Sequence, residues 1–118
     1  MTKPILLKMN KHISYKQDQL FVEDVVVSEI TGNLRTPFYV YSRTCIKDNF
    51  DRFTRSLKGL DSIICYSVKA NSNLSVLETI AKLRGGADVV SLGEYHRALK
   101  AGIDQKRIVF LAWPTPCI

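Results

Sequence analysis

One lysine in this sequence stands where an amine can react. In Tyr66-Ser-Val-Lys69-Ala-Asn-Ser-Asn73 it closes an apolar, β-type run and precedes a polar turn and a helix. That position is the carboxyl end of a strand, the end at which α/β barrels carry their reactive groups. Desolvating an ammonium costs free energy, so a lysine at the end of a buried strand tends towards a lowered pKa and a usable nucleophilic amine. Lys69 is therefore a candidate for Schiff-base chemistry. The position alone is weak evidence, because a solvated lysine ahead of a helix has the same local sequence.

Other reactive side chains carry less. Cys45, Cys65 and Cys117 are an odd number without CxxC spacing, so neither a disulfide framework nor a zinc site is encoded and no metal is expected. His12 and His96 lie far from any ligand-spaced partner. The net charge of +6, from 17 basic and 11 acidic residues, raises a nucleic-acid partner as one reading. The distribution argues against it: Lys and Arg run from Lys3 to Arg107 without a block, and the densest group, Arg52, Arg55 and Lys58, shares a helix with Asp48 and Asp51. A solvated helix face explains that group. No apolar run approaches the roughly 18 residues of a membrane span, and the first residues lack the pattern of a secretory leader. The expectation is a soluble, cytoplasmic protein with no nucleic-acid or membrane partner.

The elements that must position Lys69 follow from periodicity. His12-Ile-Ser-Tyr-Lys16 and Gln19-Leu-Phe-Val-Glu23 alternate around the turn-like Lys16-Gln-Asp18, which predicts a β-hairpin. A connector, residues 29–35, leads to Thr36-Pro37 and a predicted strand, Phe38-Tyr-Val-Tyr41. From Ser42 the period becomes about 3.6, with Ile46, Phe50, Phe53 and Leu57 on one stripe expected to face the core. Ser62 to Val68 is nearly all apolar, as in a strand covered on both faces of a parallel sheet. Asn71-Ser-Asn73 offers caps for a helix with Leu74, Leu77, Ile80, Ala81 and Leu83 on one face, and Gly85-Gly86 is expected to supply its left-handed exit. Ala87 to Val90 is the next strand, Ser91-x-x-Glu94 a capping box, and a helix then runs to Ala101 with Gly102 as its close. Arg107 to Leu111 is the last strand. Strand and helix alternate in units of about 20 to 25 residues, the pattern of βαβ crossovers. The fold class is α/β.

Taken together, Tyr66-Ser-Val-Lys-Ala-Asn71, Gly86-Ala-Asp-Val-Val-Ser91, Gly93-Glu94 and Arg97-Ala-Leu-Lys-Ala-Gly102 closely resemble the diaminopimelate decarboxylases. These belong to the pyridoxal-phosphate decarboxylases that share the alanine-racemase-like barrel. The resemblance runs from about His12 to Phe110 and includes Thr36-Pro-Phe-Tyr-Val-Tyr-Ser42. It implies a partial TIM (β/α) barrel preceded by the hairpin. The division is residues 1–36 as a β segment that joins a C-terminal β-domain, 37–111 as the first part of the barrel, and 112–118 as a divergent tail. It also implies pyridoxal 5'-phosphate as cofactor, Lys69 as the residue that condenses with its aldehyde, and Asp88 as a supporting contact on the cofactor side. A strand-end cap is the alternative for Asp88. Glu94 is expected to be the capping acid, and Tyr66 and Ser67 to shape the pocket.

The implied reaction releases the α-carboxylate of an amino-acid substrate, diaminopimelate, to give lysine, in an enzyme that is usually a homodimer. Relatives acting on ornithine or arginine are expected to carry a Cys-Asn pair where this chain has Ala70-Asn71. An ornithine or arginine decarboxylase, a racemase of the same fold, and a non-catalytic remnant or interaction module are the alternatives. An eight-stranded barrel takes about 200 residues or more, and the glycine-rich phosphate loop and the acid for the pyridine nitrogen have no counterpart here. After Phe110 the family pattern fades into Leu111-Ala-Trp-Pro-Thr-Pro-Cys-Ile118, as after a frameshift or early stop. A marginally stable, truncated and inactive N-terminal fragment is the expectation.

Overall fold

The computed structural model describes residues 11–32 and 34–111, so the expectation for 112–118 falls outside the described residues. Two compact units divide between Ile46 and Lys47.

In the first unit β1 (Ile13–Lys16), β2 (Gln19–Val22) and β3 (Val25–Val26) form an antiparallel sheet in that order. Ile13 pairs with Val22 and Lys16 with Gln19, which leaves Gln17 and Asp18 as a two-residue turn. Both have positive φ, 49° and 60°, as the tight I′ hairpin turn requires. The alternating sequence thus forms the expected hairpin, and Lys16 lies over the Phe21 ring at 4.9 Å. The stretch expected as a connector begins inside a short helix, α1 (Val27–Thr31).

Phe38–Tyr41 is not a strand. Aromatic and β-branched residues favour a pleated, half-buried surface, which exists only where another strand supplies the ladder. Among the described residues none pairs here, and Tyr39 is 90% exposed. Ser42 then begins α2 (Arg43–Ser56): its Oγ accepts from Cys45 N at 2.9 Å and donates to Glu23 Oε1 at 2.6 Å. The same Glu23 oxygen accepts from Thr44 N at 2.8 Å, so a carboxylate occupies the positive end of the helix.

The second unit alternates strand and helix as expected. β4 (Cys65–Ser67), α3 (Leu74–Lys82), β5 (Gly86–Val89), α4 (Leu92–Lys100) and β6 (Ile108–Phe110) give a parallel sheet ordered β4-β5-β6. Its core is Val68, Leu77, Ile80, Ala87, Val89, Ala98, Ala101 and Ile103, all buried. A side chain such as Leu77, fully enclosed, contributes about 2 kcal/mol by leaving water.

Three details depart from expectation. The apolar run Ser62–Val68 pairs only over Cys65–Ser67, because β5 begins at Gly86, opposite Cys65, and the run leaves the sheet in the 3₁₀ turn that starts at Val68. No residue of α2 is buried and Phe53 is 57% exposed, since the described residues cover only part of its stripe. At the end of α3 the left-handed residue is Arg84, φ 59°, not Gly85 or Gly86. The two glycines are needed for space. A Cβ on Gly85 would come within 2.6 Å of Ile80 Cγ2 and 2.9 Å of Phe50 Cε2, and one on Gly86 would overlap the Arg107 carbonyl oxygen.

Candidate functional site

Lys69 lies at the carboxyl end of β4, as its sequence position requires, in a 3₁₀ turn formed by Val68–Ala70. The turn is anchored from below by Val68, which is completely buried. It is held from its far side by a chain of hydrogen bonds. Tyr66 Oη donates to the Asn71 carbonyl at 3.3 Å, Asn71 Oδ1 accepts from Asn73 N at 3.0 Å, and Asn73 Oδ1 accepts from Ser75 N at 2.9 Å. The last bond caps α3. From α4, Arg97 Nη1 reaches across to the Ser72 carbonyl at 3.1 Å.

The burial invoked for Lys69 is not found. The residue is exposed, because the turn lifts it clear of the sheet and no described element stands over it. What the fold provides is an accessible primary amine on a tied-down turn.

Asp88 belongs to β5, and its Cα is in register with Ser67 on one side and Val109 on the other. In-register residues of neighbouring strands project from the same face of a sheet. The opposite face carries Ala87 and Val89, both fully buried. Asp88 Oδ1 and Ser67 Oγ are buried and lack a hydrogen-bond partner among the described residues. Leaving such groups unpaired costs about 1–3 kcal/mol each, so the face is arranged to receive a polar partner. Cys65, on the same face and two residues before Ser67, has its thiol pushed up in pKa, first by burial and then by the negative charge of Asp88, with Arg107 pulling it down.

Glu94 caps rather than reacts. Ser91 Oγ accepts from Glu94 N at 3.2 Å, and Glu94 Oε2 accepts from Val90 N at 2.9 Å, one residue earlier than a standard capping box. Lys69 and Asp88 thus stand at the same end of adjacent strands, with no ion pair between them among the described residues. One contributor was not visible in the sequence, the exposed Arg97 that ties α4 to the turn. Ser67 was expected to shape the pocket; strand register adds that its unpaired hydroxyl stands beside Asp88.

A family model described as "Pyridoxal-dependent decarboxylase, pyridoxal binding domain" matches residues 43–115, running past the Phe110 at which the sequence resemblance fades. The diaminopimelate decarboxylase of Vibrio cholerae is 43% identical over 100 residues, 84% of this chain and 24% of that protein. Among solved structures, diaminopimelate decarboxylase from M. jannaschii superposes with a TM-score of 0.79 at 36% identity, over 87% of this chain and 25% of its own. The Helicobacter pylori enzyme, crystallised with L-lysine, does so with a TM-score of 0.68 at 51% identity, over 71% and 21%. The chain spans about a quarter of the length of the relatives it matches. With the family match covering more than half of its residues, the chain belongs to the pyridoxal-dependent decarboxylases, in the part that forms their pyridoxal binding domain.

Proposed function

We propose that this chain supplies the cofactor-binding beginning of a diaminopimelate decarboxylase, which converts meso-2,6-diaminopimelate to L-lysine and carbon dioxide. The observation that carries the reading is the pairing of an accessible Lys69 amine, on a fixed turn, with the buried and unpartnered Asp88 Oδ1 and Ser67 Oγ on the same sheet. A polar aromatic cofactor with an aldehyde fits that set: an amine to attach it, and hydrogen-bonding atoms whose own protein partners are missing. The L-lysine held by the Helicobacter pylori relative supports the substrate class.

Pyridoxal 5'-phosphate, when bound, takes up the electron pair left as the α-carboxylate departs. The chain's own residues do the rest. Lys69 Nζ would hold the cofactor by its aldehyde carbon and, as a free amine, could take up or give up a proton beside it. The Tyr66, Asn71, Asn73 and Arg97 bonds hold the Lys69 turn against movement, so that the amine returns to one position. Asp88 presents a carboxylate to the cofactor side. Val68 and the packed α3 exclude water from beneath the turn.

Three parallel strands in consecutive order support the further reading of a partial (β/α) barrel, with the division at residues 36 and 111. No helix among the described residues is long and apolar enough to cross a membrane. A cytoplasmic homodimer, with residues outside this segment providing the phosphate and pyridine contacts, completes the proposal.

The test is reductive trapping. A chain extended to the length of its relatives is incubated with pyridoxal 5'-phosphate, reduced with borohydride, digested and mapped by mass spectrometry. The adduct is expected on the peptide containing Lys69; an adduct on a different lysine, or none, overturns the assignment. Carbon dioxide and lysine are expected from meso-diaminopimelate. Release from ornithine or arginine instead, or racemisation without carbon dioxide, replaces the substrate reading with its rivals.

A further inference from the structure

We propose that the amino end of the parallel sheet, opposite Lys69, is a second binding site, for a small phosphomonoester with an apolar body. A depression of about 460 Å³ lies there, lined by residues that precede the strands: Ser62 and Ile64 before β4, Leu83 and Arg84 before β5, Arg107 before β6. Phe50 of α2, with Leu57 and Leu60 from the turn that follows it, supplies an apolar wall.

Charge sets the class of ligand. Arg55, Lys58, Arg84 and Arg107 all line the depression, and no acidic residue does. The sequence explains Arg55 and Lys58 as a face balanced by Asp48 and Asp51, but neither aspartate reaches this lining; Asp51 is engaged with Lys47 at 2.5 Å. Arg84 and Arg107 come from other segments and join the same opening, so the fold concentrates four positive charges around one apolar-walled space. Like charges gathered this way repel one another unless an anion joins them.

Two further observations point to a bound partner. Arg107 Nε is buried and lacks an acceptor among the described residues, although a guanidinium is built for paired bonds to phosphate or carboxylate oxygens. Arg84 sits in the left-handed region, φ 59°, where glycine is the low-cost residue. The exit of α3 thus carries a cation on this rim, at a position where glycine would serve the backbone at lower cost. A dianionic phosphomonoester matches several cations better than a monocarboxylate, and its organic part would lie on Phe50, Leu57 and Leu60.

Calorimetric titration of the full chain with phenyl phosphate tests the proposal. Saturable binding is expected, weaker at higher salt, and weakened about tenfold by Arg107→Met or by Arg84→Gly, as loss of a charge-assisted bond implies. Arg84→Gly is the decisive variant: glycine relieves the backbone at this position, so its unliganded melting temperature is expected not to fall while binding does. Arg52→Met, which removes the same charge outside the lining, is expected to leave binding unchanged. Binding that drops equally in Arg52→Met, survives Arg84→Gly and Arg107→Met, or never saturates overturns the site. The proposal is independent of the decarboxylase reading, and Lys69→Ala separates them: it removes the borohydride adduct and leaves phenyl phosphate binding intact.

Discussion

Asp88 influences a group that can be read without any cofactor. Its charge is the second cause, after burial, of the raised pKa of Cys65. Asp88→Asn is therefore expected to speed alkylation of Cys65 at pH 8 roughly threefold, a modest gain because desolvation remains; peptide mapping after timed iodoacetamide treatment measures it. An unchanged rate would separate Asp88 from the Cys65–Ser67 face. Glu23 offers a second reading at this scale. Hydrogen bonds from Ser42 first, and then from the Thr44 backbone, hold its pKa below the ordinary 4.5. A carboxylate with a depressed folded pKa adds stability that is fully present above its unfolded pKa and is lost as pH falls through the folded value. The denaturation midpoint should thus drop as the pH falls below the ordinary 4.5, and Glu23→Gln should flatten that slope. The same slope in both proteins would remove Glu23 as the cause.

Elements show where small residues are compulsory and where they are merely absent. Gly86 faces the Arg107 carbonyl across the β5–β6 gap, and backbone cannot rotate away as a side chain can. Gly86→Ala is expected to destabilise by about 3 kcal/mol, at the upper end for overpacking, whereas Gly85→Ala meets the movable Ile80 and Phe50 side chains and should cost less. Urea denaturation of the pair checks the order. Asp18 is the converse case. Its φ of 60° carries a penalty of about 1–2 kcal/mol for a side-chain-bearing residue, against about 0.5–1 kcal/mol of extra entropy lost by glycine. Asp18→Gly should raise stability by roughly 0.5 kcal/mol, read as a higher denaturation midpoint. The hairpin, the α3 and α4 caps and the three parallel strands were legible because period, capping residues and turn residues are local properties. Phe38–Tyr41 was misread because strand formation needs a second strand, and a sequence window holds only one.

At the scale of the whole molecule, one face of the parallel sheet is left partly open by the described residues. Ile63, Val90 and Val109 are each between 44% and 49% exposed, beside the unpaired polar atoms of Ser67 and Asp88. Such a face invites association, so the 118-residue chain taken alone is expected to show concentration-dependent self-association in sedimentation experiments. It is also expected to release no carbon dioxide from diaminopimelate, because one amine and one carboxylate supply neither phosphate binding nor contact with the pyridine ring. Turnover by the purified chain would contradict that. Lys69 at a strand end, the helix stripes and the family motifs were determined by residue order, since each depends on neighbours within a few positions. The tertiary structure alone decided that Ser67 stands beside Asp88, that Arg97 ties down the Lys69 turn and that four cations share one opening. Those relations join residues distant in the chain, and only strand register and helix packing bring them within reach of one another.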